Sequence, residues 1–363
     1  MKPVAKLAAF MLSIILCFST VGASELFGFN VEYVGKLKVP AKPALLAAWS
    51  FCVTEDGLFI IPDKESGDIK IYEKAGETLE YVKAIGRKGF GPGEFVSPAY
   101  CSYNEKESKF IVMDLEQRKI FIYDRVGREN FKRVKMIYCF RSGDDVQLIG
   151  NKLIISGYKE GPHGADHELY ITNIKTGDED FLLRSFQKYG LSQSEKSKAG
   201  SLRQALGVIG RFDVEGDDIY FVWEGDLRIT KLNISTKKTQ VFGPGVKMKT
   251  KYKSPADIVN ELLDNRTHGR FHLYRIVKFK RSFVRNVFTS AKYVFVIYEG
   301  PGKSKFWLQF YMLNGNFIKE VPIPGQPDRR MCFDKDKGIL YSLVSSKSKE
   351  KKKDFLILKY KIR

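Results

Sequence analysis

An all-β chain folded as a six-bladed β-propeller with one short helical insertion is what this sequence predicts. Three observations carry that expectation. A strand-and-turn phrase recurs at a spacing near 50 residues, six such units can be counted, and helical periodicity is almost absent outside one segment. The 363 residues, 44% hydrophobic and 28% charged, have the composition of an ordinary globular protein. Disorder, collagen and a disulfide-stapled miniprotein are excluded.

The chain opens with Lys2 and Lys6, an uncharged run from Leu7 to Thr20, and the small residues Val21-Gly22-Ala23. This is the pattern of a secretory signal peptide, residues 1–23, cleaved after Ala23. The apolar run is shorter than the ~20 residues of a membrane helix, and Leu16 before Cys17 argues against lipid attachment. The expectation is an exported protein, periplasmic or secreted. It has no transmembrane segment after cleavage, and residues 24–363 form one propeller. The formal charge is +19, or +17 without the two leader lysines, so a partner selected by charge is anionic.

The repeat is clearest in its first two units. Phe59-Ile-Ile-Pro-Asp63, a polar gap and Ile69-Lys-Ile-Tyr72 return 51 residues later as Phe110-Ile-Val-Met-Asp114, a gap and Ile120-Phe-Ile-Tyr123. Short β-branched and aromatic runs bounded by Asp, Gly, Lys and Glu read as strands between turns. The third unit is Leu153-Ile-Ile-Ser with Glu168-Leu-Tyr-Ile-Thr, and the fourth is Ile219-Tyr-Phe-Val-Trp223 with Leu227 to Leu232. The fifth joins Tyr293–Tyr298 to Phe306–Tyr311, and the sixth Gly338–Val344 to Asp354–Tyr360.

The sixth unit shows only three clear strands, and Asn30–Val39 at the other end of the chain is the natural fourth, closing the ring without a free sheet edge. Tyr189 to Gly207, rich in Ser, Lys, Gln and Gly, reads as a connection between the third and fourth blades. Ser254-Pro255 followed by Ala-Asp-Ile-Val-Asn-Glu-Leu-Leu-Asp264 carries an N-cap and a first-turn proline. This places the helical insertion at about residues 254–268.

Ile85-Gly-Arg-Lys-Gly-Phe-Gly-Pro-Gly-Glu-Phe95, with Ser97-Pro98, Asp114 and Ile120-Phe-Ile-Tyr-Asp124, resembles the NHL-repeat signature and the wider group of bacterial TolB-like six-bladed propellers. Gly91 and Gly93 are expected to take backbone angles closed to other residues, Pro92 to fix a turn, and Phe95 to plug the gap between sheets. The resemblance implies a fold more firmly than a function. NHL-type domains mostly bind proteins and some bind RNA, while exported versions look like sensors or ligand-binding modules. Asp63 and Asp114 match the repeat itself, which assigns them to turn capping rather than to metal ligation of the lactonase-propeller kind.

By the same resemblance, the turns joining each blade's second and third strands share one face with the connections between blades, and that face is the usual ligand surface. It gathers Glu116 to Lys119, Tyr158 to Glu168, Glu224 to Asp226, Glu299 to Lys305, the loop of Arg87, Lys88 and Phe90, and the insertion. The candidate ligand-binding residues are Arg87, Lys88, Phe90, Tyr158, His163, His167, Lys303 and Trp307. No catalytic residue and no cofactor is assigned. His163, Asp166 and His167, with Glu168, are the nearest approach to a divalent-metal set, on a Gly-containing loop that is equally suited to solvation. His268 and His272, four apart, lack a nearby acid.

Cys52, Cys101 and Cys332 fall at one point of the innermost strands of blades one, two and six, which are neighbours. Cys52 could close with either of the others in an exported protein, but a crowded channel wall that takes a small apolar residue explains all three without a disulfide; Cys139 is the remaining cysteine after the leader. Basic runs at Lys247–Lys253 and Arg275–Arg281 interleave with aromatics, and Lys347–Lys353 reads as a solvated hairpin. Export argues against nucleic acid. The functional expectation is a monomeric binding module for a protein or an anionic ligand, using the loop-rich face. The alternative is a metal-dependent hydrolase or lyase with its site at the channel mouth.

Overall fold

The computed structural model describes residues 28–139, 142–159, 166–184, 210–224, 226–243, 282–301, 305–328, 330–347 and 353–363. The leader, the 189–207 connection, the helical insertion, His268, His272 and the two aromatic-interleaved basic runs lie outside them. The described residues form strands and turns only.

Strand β1 (Val31–Lys38) is first in the chain and belongs to the last blade. Blade one is β2 (Cys52–Val53), β3 (Leu58–Asp63), β4 (Asp68–Ala75) and β5 (Thr78–Ile85). Blade two is β6 (Pro98–Asn104), β7 (Lys109–Asp114), β8 (Lys119–Arg125) and β9 (Phe131–Tyr138), and blade three is β10 (Ser142–Ile149), β11 (Lys152–Lys159), β12 (Asp166–Asn173) and β13 (Glu179–Arg184). Blade four follows as β14 (Gly210–Glu215), β15 (Asp218–Trp223), β16 (Asp226–Asn233) and β17 (Thr239–Phe242), and blade five as β18 (Phe283–Thr289), β19 (Tyr293–Glu299), β20 (Phe306–Met312) and β21 (Phe317–Ile323). Blade six is β22 (Met331–Asp334), β23 (Ile339–Lys347) and β24 (Lys353–Ile362), completed by β1.

Each blade is an antiparallel meander. The 51-residue repeat survives as register, since Phe59 stands opposite Tyr72 and Phe110 opposite Tyr123. First strands touch one another around the centre, β2 meeting β6 and β22, and β10 meeting β6 and β14. The expected closure is present. β1 runs antiparallel to β24 from Val31 opposite Ile362 to Lys38 opposite Leu356, and Lys38 also meets Thr78 of blade one.

Among the described residues an apolar cluster lies between each successive pair of blades. Phe95 lies in the cluster between blades one and two, with Ile60 and Ile69 on one side and Phe110, Val112 and Phe121 on the other. Equivalent clusters join blades two and three, three and four, four and five, five and six, and six and one. Because every blade packs on both faces, its inner strands are buried over nearly their whole length, as in the six buried residues of β3, whereas outermost strands such as β9 are largely exposed.

Two expectations need correction. Tyr158 and His167 are not loop residues: they pair across β11 and β12, as do Lys159 and Asp166. Continuing the ladder satisfies backbone groups that a loop would leave to water. Gly91 has no left-handed backbone, whereas Gly93 does, with φ near +84°. Gly91 is needed for space instead, since a Cβ there would stand 2.9 Å from Glu94 Oε2.

Candidate functional site

The second strand of four blades runs into an acidic residue: Asp63 and Asp114 are the sixth residue counted from the start of that strand, and Glu224 and Glu299 stand one position further on. In blades one and two it is a clamp for backbone. Asp63 accepts N–H groups from Leu46 (2.8 Å), Ala47 (2.9 Å), Glu65 (3.2 Å) and Ser66 (3.5 Å). Asp114 accepts those of Val96 (2.7 Å), Ser97 (3.1 Å), Glu116 (3.1 Å) and Gln117 (2.9 Å). Each carboxylate therefore ties the turn after its own strand to the connection that enters its blade, which is the capping role expected of both. Burial works against the Asp63 charge, but the Lys70 ammonium at 2.8 Å and the Leu46 and Ala47 amides outweigh it and hold the carboxyl below its ordinary range.

On this frame stands the loop from Gly86 to Ser97. Gly89 N–H bonds to Phe95 O and Phe95 N–H to Arg87 O (3.0 and 2.8 Å). Gln117 Nε2 donates to Gly89 O and Glu94 O. Glu94 accepts from the Gly91 N–H at 2.8 Å and from Arg87 Nε at 2.7 Å, and these two donors hold its carboxyl below the usual value. Gly86 sits so close beneath that a Cβ there would meet the Phe95 ring at 2.5 Å. At the tip of this pinned loop Phe90 is 78% exposed. Lys88 leans back, its Nζ donating to Glu65 O at 3.0 Å.

Two more exposed aromatics share the face, each beneath a lysine. Lys64 Nζ lies 4.1 Å from the centre of the Trp49 ring, and Lys119 Nζ lies 5.6 Å from that of Tyr138. Lys64 lies in the second-to-third-strand turn that the Asp63 clamp holds, and Lys119 opens β8 directly after the turn that Asp114 holds. The result on blades one and two is a surface of Trp49, Phe90 and Tyr138 with Lys64, Lys88, Arg87 and Lys119 among them. Such a surface presents apolar area and positive charge together.

Of the residues expected from sequence, Arg87, Lys88 and Phe90 are thus brought into one loop. Tyr158 and His167 face each other in strand register, and Asp166 opens β12, with their side chains outside the described residues. His163 and Lys303 also lie outside. Trp307 sits within β20, the strand its sequence implies, opposite Tyr298 and Pro322, and is half-buried against the core between blades four and five. Trp49 and Tyr138 were missed because they flank strands, where exposure depends on what the next blade covers. The lysines carried a readable signal, since Lys64 directly follows the repeat aspartate and Lys119 opens the third strand after it.

In blades four and five the acids one position further along, Glu224 and Glu299, are one half of a buried ion network. Arg285, only 2% exposed, donates through Nε (2.9 Å) and Nη2 (2.7 Å) to Glu299 Oε2. Glu224 Oε1 lies 3.8 Å from Arg285 and 3.6 Å from Arg211. Nearby, burial raises the Asp145 carboxyl to about 7, with repulsion from Asp213 adding to it and Arg211 opposing it. On the opposite face an open hollow of about 620 Å³ lies between blades one and two. Its arginines are committed, Arg125 to Asp56 at 2.6 Å and Arg128 to Glu73 at 2.5 Å. Among the described residues no three His, Cys, Asp or Glu side chains gather as a metal site requires.

Comparison with known proteins agrees with this architecture. A family described as a 6-bladed beta-propeller, DUF5128, matches residues 44–188. The chain is similar to a DUF4221-family protein from Bacteroides vulgatus, with a TM-score of 0.61 and 10% identity over 92% of this chain and 98% of that one. It is similar too to a protein from Bacteroides fragilis described as exported, with a TM-score of 0.58 and 14% identity over 92% of this chain and 95% of that one. No curated protein matches the sequence. At these identities the likeness is one of fold. No described helix is long and apolar enough to cross a membrane.

Proposed function

We propose that this six-bladed propeller is an exported binding module that grips a partner protein through the face of blades one and two. The observation that carries this reading is Phe90, 78% exposed at the tip of a loop hydrogen-bonded through the backbone of Arg87, Gly89, Gly91, Glu94 and Phe95 and through the Glu94 carboxylate. A large aromatic held rigidly in solvent contributes nothing to the core and loses little entropy on binding, which is the profile of an interface anchor. Lys64, Arg87, Lys88 and Lys119 around it, together with the +19 total, favour a partner whose surface is acidic around an apolar socket. The Gly-Pro-Gly-Glu-Phe phrase points the same way through its resemblance to NHL-type domains.

In this reading residues 1–23 are a signal peptide, 24–363 are the propeller and 254–268 a helical insertion, and the protein works as a monomer in the periplasm or outside the cell. The exported description of the Bacteroides fragilis protein supports the compartment.

The test is affinity capture from cell-envelope and culture-fluid proteins of the producing organism, with the intact protein immobilised as wild type, Phe90→Ala, and Arg128→Ala on the opposite face. A partner is expected that wild type and Arg128→Ala retain equally, that Phe90→Ala loses at least tenfold, and that raised salt elutes. Equal retention by Phe90→Ala refutes the assignment of this face.

A further inference from the structure

Three cysteines reach the centre of the ring from neighbouring first strands: Cys52 on β2, Cys101 on β6 and Cys332 on β22. Sequence leaves two partners open for Cys52, and strand alternation chooses between them. Cys52 points into the core between blades one and two, where Cys101 also packs. Val53 points the opposite way, into the core between blades six and one, and Cys332 packs there. Cys52 Sγ stands 3.8 Å from Cys101 Sγ. The two segments are already fastened at this level. Ser50 Oγ donates to Ala99 O and accepts the Cys101 N–H, both at 2.9 Å.

We propose that Cys52 and Cys101 form a disulfide that staples blade one to blade two when a low-molecular-weight disulfide is present as oxidant, and that Cys332 remains a thiol. In van der Waals contact, the two sulfurs need close by less than 2 Å to reach the ~2.05 Å bond. Cys101, half-buried, is the one an outside reagent reaches, whereas Cys52 is buried.

With oxidised glutathione the Cys101 thiolate attacks one sulfur of the reagent, whose S–S bond breaks to release one glutathione thiolate. The Cys52 thiolate then attacks the Cys101 sulfur of the mixed disulfide and expels the second. Two protein thiols are oxidised by two electrons, one glutathione disulfide is reduced to two thiols, and the protein's two protons pass through solvent to the departing thiolates. Burial pushes the Cys52 thiol upward, with its hydrogen bond to Cys101 adding to it, so the second step accelerates as pH rises.

The experiment treats the reduced full-length protein with oxidised glutathione at pH 8, blocks remaining thiols, and digests it without reduction for mass spectrometry. A cross-linked peptide pair carrying Cys52 and Cys101 is expected in wild type and in Cys332→Ser, with two fewer free thiols. Melting should rise by roughly 5–10 °C and fall back with dithiothreitol. Cys52→Ala and Cys101→Ala should show neither change, and if either fails to fold, the wild-type peptide map decides alone. A Cys52–Cys332 link, a lasting glutathione adduct on Cys101, or an unchanged thiol count each overturns the proposal. None of these readouts depends on what the outer face binds.

Discussion

Phe90 and Phe95 lie five residues apart in one loop and at opposite extremes of burial, 78% exposed against none. The loop's hydrogen bonds turn one ring into the core and leave the other in water. Phe95→Ala should therefore cost about 3–5 kcal/mol in chemical denaturation. Phe90→Ala should stay within about 0.5 kcal/mol of wild type. A large loss from Phe90→Ala would mean that its ring is structural.

Asp114→Asn tests the clamp. Oδ2 receives the Val96 and Ser97 N–H groups while Oδ1 receives those of Glu116 and Gln117. An amide offers one acceptor and turns its NH2 toward donors, so two buried N–H groups lose their partner. Destabilisation of roughly 2–4 kcal/mol is expected by urea unfolding, with the loop of Phe90 loosening first in hydrogen exchange.

Glu299→Gln addresses the buried pair in blade five. Arg285 keeps its full charge in a nearly dry site while its nearest carboxylate becomes neutral, and Glu224 at 3.8 Å compensates only in part. A loss of about 3 kcal/mol follows, at the lower end of what breaking a buried pair costs. Denaturation midpoints at pH 7 measure it.

Asp145 sets a pH dependence of opposite sign to the usual carboxylate. Its folded pKa of about 7 exceeds the unfolded value, so the folded state binds the proton more tightly. Its contribution is fully favourable below about pH 4 and is lost as pH rises towards and through 7. Asp145→Asn should match wild type near pH 5 less closely than at pH 4, and melt ~2–4 °C higher than wild type at pH 8. Equal melting temperatures at pH 8 would show that the carboxylate is ionised there without penalty.

The blades were legible because the repeat phrase fixes both strand content and face. Phe59 and Phe110, Tyr72 and Tyr123 reappear in matching registers, and Val31–Lys38 was identifiable as the missing strand because blade six lacked one. The loop of Phe90 was legible because its glycines and Phe95 mark a tight turn over a packed ring. The Arg285–Glu299 pair was not. Glu299 stands one position beyond the repeat place of Asp63, and only the pairing of β18 with β19 brings the Arg285 guanidinium to it. Sequence places Trp307 on the face beside the Glu299–Lys305 turn, but as the second residue of β20 it packs half-buried against the core between blades four and five.

The pairing of Val31 with Ile362 bears on how the molecule is made. Strand β1 emerges before every other described strand, yet its partner β24 emerges after all of them. Its apolar residues Val31 and Leu37, buried in the finished ring, must wait through nearly the entire length of the chain. Blades two to five can form from local hairpins as they emerge, but ring closure is a single late event of very high contact order. Refolding should accordingly show a fast phase that builds blades and a slower one that joins the ends. A chain lacking β24 would leave β1 an unpaired edge, open to another copy's strand and hence to domain exchange or aggregation.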